Sequence, residues 1–424
     1  MNNRTRLWIA FLLCFATLFA GRCLAAPPDE AALAQIDEHA ARTPPDAAAS
    51  IQSLADYLVK PAANEMQKVR AIYAWIIRNI DYDVAALAAG NPGDQSAQAT
   101  LTARKAVCDG YSRLFEALAR AAGLEAVEVL GFSRGAGYAP GVPLGPDPDH
   151  AWSAVKIDGA WYLLDSTWAA GYIDAKSAFV RRADDYYYLT QPDRFIYDHL
   201  PKDPKWQLVA TPITKEQYEQ LVYLRPGFFR NGLQVVSHPK VEIESEGSLT
   251  ITFAGPNDVM LRGRVGETAP AKDDIAPTFV EREGGQFKLN AAFARPGVYT
   301  LRVYAKRRGD QGPYEWAADY KVKVAEVKQL RVFYPETSST FHEVDAKLYA
   351  PMAGRLKSGD KETFKLTVPG AEAVSVIVQG EWLPLTKNGD VWEGQAAVKG
   401  EQVQVAARLP GSESFYILLT YSVA

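Results

Sequence analysis

From residue 46 onward the apolar positions fall into two periods, first helical and then alternating. In "DAAASIQSLADYLVK", Ile51, Leu54 and Leu58 share one face of a predicted helix. The next run, "NEMQKVRAIYAWIIRNI", places Met66, Val69, Ile72, Ile76 and Ile80 on a stripe, with Asn64 as N-cap and Glu65 in the first turn. A third stripe, Tyr111, Phe115, Leu118 and Ala122, follows Cys108 and stops at Gly123. The connecting segment "AAGNPGDQSAQATLTARKA" reads as a loop, and the Ala/Pro-rich stretch 26–45 as a loosely held arm. After Gly123 the period shortens. "EAVEVLGFS" is a strand, "RGAGYAPGVPLGPDPD" a loop, and "HAWSAVKIDGAWYLLDSTW" a β-hairpin turning at Asp158-Gly159.

Beyond residue 228 the texture is alternation between turn signals. "HPKVEIESEGSLTITF", "GGQFKLNAAF", "PGVYTLRVYAKRR" and "EWAADYKVKV" form one set. "ETFKLTVPG", "AVSVIVQG", "EWLPLTKNGDVWEGQAAV" and "EQVQVAARL" form another. Two β-sandwich modules fit, at 237–326 and 327–424, behind a mixed domain at 46–228.

Composition narrows the function classes. A formal charge of −4 argues against a nucleic-acid surface, and the chain has neither a Walker loop nor a dinucleotide-binding glycine fingerprint. No paired Cys or His set has zinc spacing, so neither a metal nor a cofactor is expected. The N-terminus reads as an export signal: Arg4 and Arg6, an apolar Leu7–Ala20, then small residues to a cleavage point near Ala25. Arg22 stands where a lipidation signal for Cys23 would want a small residue. Cleavage removes Arg4, Arg6 and Arg22, taking the charge from −4 to −7, and leaves no integral membrane segment. It also removes Cys14 and Cys23, so Cys108 remains as the single thiol and an internal disulfide is ruled out.

A cysteine at a helix N-terminus is activated by the helix dipole and by a neighbouring imidazole. Of the histidines, His150 alone begins a strand whose returning arm carries a carboxylate, Asp165. A two-residue turn pairs Ile157 with Ala160, puts Thr167 opposite His150, and makes Asp165 the diagonal neighbour on the same face. Asp165 can then hold one ring nitrogen and leave the other for Cys108. Asp109 and Asp149 read as solvated loop carboxylates, Tyr186–Tyr188 as core and cleft wall, and His199 as structural.

"VCDGYSRLFEALARAAG", "HAWSAVKIDGAWYLLDSTW", "AIYAWIIRNIDYD" and "DRFIYDHLPKDPKWQL" occur in an order that resembles the transglutaminase-like superfamily, most closely its kyphoscoliosis-peptidase-like branch. The resemblance covers roughly residues 50 to 225. It implies an α+β fold: a papain-like transglutaminase core, here followed by two all-β immunoglobulin-like sandwich domains. It also implies Cys108 as nucleophile, His150 as base and Asp165 as orienting residue. Tyr82 and Trp75 are the candidates for stabilising the oxyanion. The expected reaction is thioester-mediated proteolysis, deamidation or transamidation of a peptide or protein substrate, with envelope components among the candidates. The competing expectation is an extracytoplasmic scaffold that uses the same fold only for binding.

Overall fold

The computed structural model describes residues 30–135, 137–267, 278–328 and 334–424; the expected export signal lies outside them. The stretch expected as a loose arm is instead a helix, α1 (Glu30–Ala41). Its Ile36 and Ala40 are buried, and Asp37 clamps Arg70 through two hydrogen bonds of 2.6 and 2.7 Å. Ala-rich composition hid a stripe of only two core residues, and Pro44-Pro45 end the helix. Helix α2 (Ile51–Leu58) starts at a Ser50 capping box and α3 (Glu65–Asn79) at the Asn64 cap. The connection to Cys108 is not a bare loop. It carries α4 (Val84–Ala89) and α5 (Ala97–Ala103), the latter capped by Ser96 and burying Thr100 and Leu101. Two residues, β1 (Asp81–Tyr82), run parallel to β2 (Lys105–Ala106), and β2 leads into α6 (Cys108–Ala121).

Helix α6 packs over a sheet built from β3 (Ala126–Ser133), β4 (His150–Ile157) and β5 (Ala160–Leu164). Asp158 and Gly159 both have positive φ, 49° and 83°, as a two-residue hairpin turn requires. The register Ile157↔Ala160 through Ser153↔Leu164 follows from that turn. The expected pairing of Thr167 with His150 does not occur, because the returning strand ends at Leu164. Asp165 caps α7 (Ser166–Ala170) by accepting from Thr167 N and Trp168 N. A hairpin of β6 (Gly171–Ile173) and β7 (Phe179–Arg181) follows. Strand β8 (His199–Pro201) then joins the far edge, giving the order β5-β4-β3-β8.

The first sandwich has one sheet ordered Gln234–Val235, Ser248–Ala254, Gln286–Ala292, Thr278–Glu283. The other is ordered Glu242–Ser245, Glu315–Val324, Gly297–Arg307, Val259–Glu267. Its core already includes Val222, Leu224 and Phe228, so the last stretch assigned to the mixed domain belongs to the sandwich. The second sandwich has sheets centred on Gln402–Arg408 and Phe415–Val423, and on Lys361–Thr367 and Val391–Ala397. Among the described residues no helix is long and apolar enough to cross a membrane.

Candidate active site

Cys108 is the first residue of α6, and Val107 before it offers no capping side chain. The chain is pinned there by Gln95, whose Oε1 accepts from Val107 N at 3.0 Å. Gly110, one turn in, is required by close packing: a Cβ would sit 2.5 Å from Ala106 Cβ and 2.6 Å from Thr100 Oγ1. The thiol is partly exposed at the N-terminal, positive end of the fourteen-residue α6.

His150 opens β4, is buried, and places Nε2 2.8 Å from Asp165 Oδ2. Cys108 acts electrostatically on the same imidazole. With Nε2 committed to Asp165, Nδ1 is the nitrogen left for sulfur. Burial by itself lowers the basicity of this ring, but Asp165 and then Cys108 outweigh it and raise the ring's pKa to about 10. Asp165 is fully buried, which favours the neutral acid; His150 and His199 overcome that and hold it well below the usual carboxylate range. Its Oδ1 accepts from Thr167 N at 2.7 Å and Trp168 N at 3.1 Å.

The indole of Trp168 stacks on His150, with ring centroids 5.1 Å apart, and Trp152 lies on β4 two residues on. These tryptophans keep water from the His–Asp pair, which strengthens its electrostatics. His150 and Tyr82 open onto a cleft of about 1630 Å³. Its walls include Tyr138, Val142 and Leu144 of the Gly/Pro-rich loop, and Lys306 to Trp316 of the first sandwich. This loop is tied down on both sides. Leu144 N donates to Glu219 at 2.9 Å and Lys321 Nζ reaches Gly141 O at 3.2 Å. A smaller cavity of about 350 Å³, lined by Phe279, His342 and Tyr349, carries no cysteine, serine or threonine among the described residues.

The oxyanion candidates separate. Trp75 is buried under the Arg104 guanidinium. Tyr82 lines the cleft, and burial followed by the charge of Cys108 pushes its phenol upward, so the hydroxyl keeps its proton and can donate. Tyr187 is buried, and Tyr186 belongs to the cleft wall. Asp149 accepts from Ser133 N at 2.8 Å.

His199 was expected to be structural, yet its Nε2 lies 3.0 Å from Asp165 Oδ2. Its Nδ1 lies 2.7 Å from Asp198 Oδ1, and Tyr187 Oη donates to Asp198 Oδ2 at 3.1 Å. The only sequence signal was the Asp-His pair inside "DRFIYDHLPKDPKWQL". The ligand atoms of His150, Asp165 and His199 lie within 4.8 Å of one another, which is also a spacing for a metal. Both imidazoles already use their Nε2 atoms on the same carboxylate oxygen, so an ion would have to break both hydrogen bonds.

The model of the transglutaminase-like superfamily matches residues 52–166, which include Cys108, His150 and Asp165. That of the KY-like, immunoglobulin-like domain matches residues 215–335. The chain is 25% identical to the kyphoscoliosis peptidase of Homo sapiens, over 89% of this chain and 75% of that protein. It is 31% identical to the kyphoscoliosis peptidase of Mus musculus, over 78% of this chain and 48% of that protein. Hillarin of Drosophila melanogaster is 32% identical over 48% of this chain and 26% of its own length.

Proposed function

The chain belongs to the transglutaminase-like superfamily, in the branch of the kyphoscoliosis peptidases, and on that premise we propose that it is a cysteine acyl-transfer enzyme acting on peptide or protein amides. The observation that carries the reading is the His150–Asp165 pair at 2.8 Å, with Cys108 at the head of α6 acting on the charge of the same ring.

In the proposed resting state the imidazole holds the proton and Cys108 is the thiolate. Sulfur attacks the amide carbonyl carbon, and the developing oxyanion is met by the Cys108 backbone N–H, which has no carbonyl one turn back within the helix, and by the Tyr82 hydroxyl. The C–N bond breaks as His150 passes its proton to the leaving amine. A thioester remains. Water or a second amine then attacks it, giving its proton to His150 and releasing the thiolate. Asp165 keeps the imidazole in one orientation and stabilises its charged form throughout.

The word peptidase in the names of the human and mouse relatives supports hydrolysis as the outcome. The test is labelled casein for hydrolysis and dimethylcasein with a fluorescent primary amine for transamidation. Turnover of either is expected in the wild-type chain and none in His150→Ala. Retained turnover in that variant refutes the mechanism. Export is proposed from the leader: an N-terminus near Ala26 in the purified natural protein supports it, and a retained Met1 contradicts it.

A further inference from the structure

A second imidazole rests on the orienting carboxylate. His199 is fully buried, stacked on Phe195 with centroids 4.0 Å apart and flanked by Trp168 at 4.4 Å and Trp152 at 5.0 Å. Its strand can approach because Gly131 has no side chain: a Cβ there would lie 2.3 Å from Leu200 O and 2.4 Å from the Trp152 ring. Gly131 pairs with His150 on one side and Pro201 on the other, so β8 is held in register with the catalytic strand.

Both nitrogens of His199 face carboxylate oxygens. A neutral imidazole has one donor and one acceptor. Asp165 is held ionised, so the hydrogen on Nε2 points at it. Asp165 is faced by His150 and His199 and its charge reaches Tyr73, Tyr82 and Tyr111; Asp198 accepts from Tyr187 and its charge reaches Arg225.

We infer that His199 is a positioning residue of the acyl-transfer site, linking Asp165 to Asp198 and fixing the carboxylate oxygen that orients His150. This rests on the proposed Cys108–His150 chemistry. Without the Nε2–H donor the buried Asp165 carboxylate keeps one partner fewer on Oδ2. It then protonates more readily or turns, and the imidazolium–thiolate pair loses its support from the acid side.

The test is a pair of variants in the full chain. In His199→Gln the amide nitrogen falls near the place of Nε2 and keeps the donor to Asp165. In His199→Asn it falls near Nδ1 and keeps only the link to Asp198. The readout is the rate of iodoacetamide modification at Cys108 between pH 5 and 9, followed by mass spectrometry of the Cys108 peptide, with melting temperatures alongside. His199→Asn should lose tenfold or more in rate near pH 6, with the acid limb moved upward, since a hydrogen bond to a charged group is lost. His199→Gln should stay within about twofold of wild type. Equal behaviour of two folded variants overturns the positioning role. If either unfolds, Asp198→Asn takes its place and must move the acid limb while His150→Ala removes the activation altogether. No His150-dependent activation in the wild-type chain sinks the acyl-transfer reading itself and not this inference alone.

Discussion

Replacing Asp165 by asparagine exchanges one carboxylate oxygen for NH₂ at nearly the same volume, yet it reverses the demand placed on His150. In the wild-type chain Oδ1 takes Thr167 N and Trp168 N, and Oδ2 takes two imidazole nitrogens at 2.8 and 3.0 Å. The amide oxygen of asparagine can stay on the α7 cap, so the helix start should survive. Its NH₂ group then points at two ring nitrogens that both need an acceptor. His150 must present an unprotonated Nε2, keep its one hydrogen on Nδ1, and give up the imidazolium. The lost contact is a buried hydrogen bond to a charged group, worth about 1.5–3 kcal/mol. That is roughly ten- to hundredfold less of the thiolate–imidazolium pair. Thiolate absorbance in the ultraviolet, titrated against a Cys108→Ser blank, reads the population directly. In Asp165→Asn the thiolate should appear only near the reference thiol value of about 8.5. A titration that superimposes on wild type would refute the argument, because the carboxylate would then have no part in charging the pair.

Three further outcomes follow from the packing and the charges. Gly110→Ala should cost about 1–3 kcal/mol by overpacking the α5–α6 contact, read as a lowered midpoint in thermal unfolding of the first domain. Arg302→Met should cost about 3–5 kcal/mol in chemical denaturation of the first sandwich. It strands the buried Asp319, which now takes two bonds of 2.9 Å from Arg302 and one from Trp316 Nε1. The pH dependence of stability has two limbs. Asp165 is depressed, so its contribution is present above the unfolded carboxylate range near pH 4 and fades as pH falls further. His150 is raised, so its contribution is complete below about 6.5 and is lost as pH climbs towards about 10. The wild-type melting temperature minus that of His150→Ala should therefore shrink across that alkaline window; a constant difference would contradict it.

Long stripes and the two-residue turn were legible because each is a local rule. The five apolar positions from Met66 to Ile80 need only one helix, and Asp158-Gly159 alone fixes the register up to Leu164. That register led to Asp165, although the strand itself stops one residue earlier because the side chain turns to cap α7. What failed to show was non-local or compositionally masked. Helix α1 is recognisable only through its partners: two buried residues and an aspartate reaching Arg70, thirty-three positions away. His199 joins Asp165 across thirty-four positions on a three-residue strand, with no periodicity to mark it. Val222 and Leu224 pack into a sandwich whose other core strands begin later, so texture alone set the boundary too late.

The central claim is that Cys108 is a thiolate because His150 holds its proton. The direct measurement is the rate of Cys108 alkylation against pH, read at its own peptide, in the wild-type chain and in His150→Ala. The account predicts a reactive plateau reaching well below pH 8 in the wild type, and in the variant a return to the ordinary thiol curve near 8.5. A cysteine that stays inert until the protein unfolds, or one whose profile ignores the loss of His150, would contradict it.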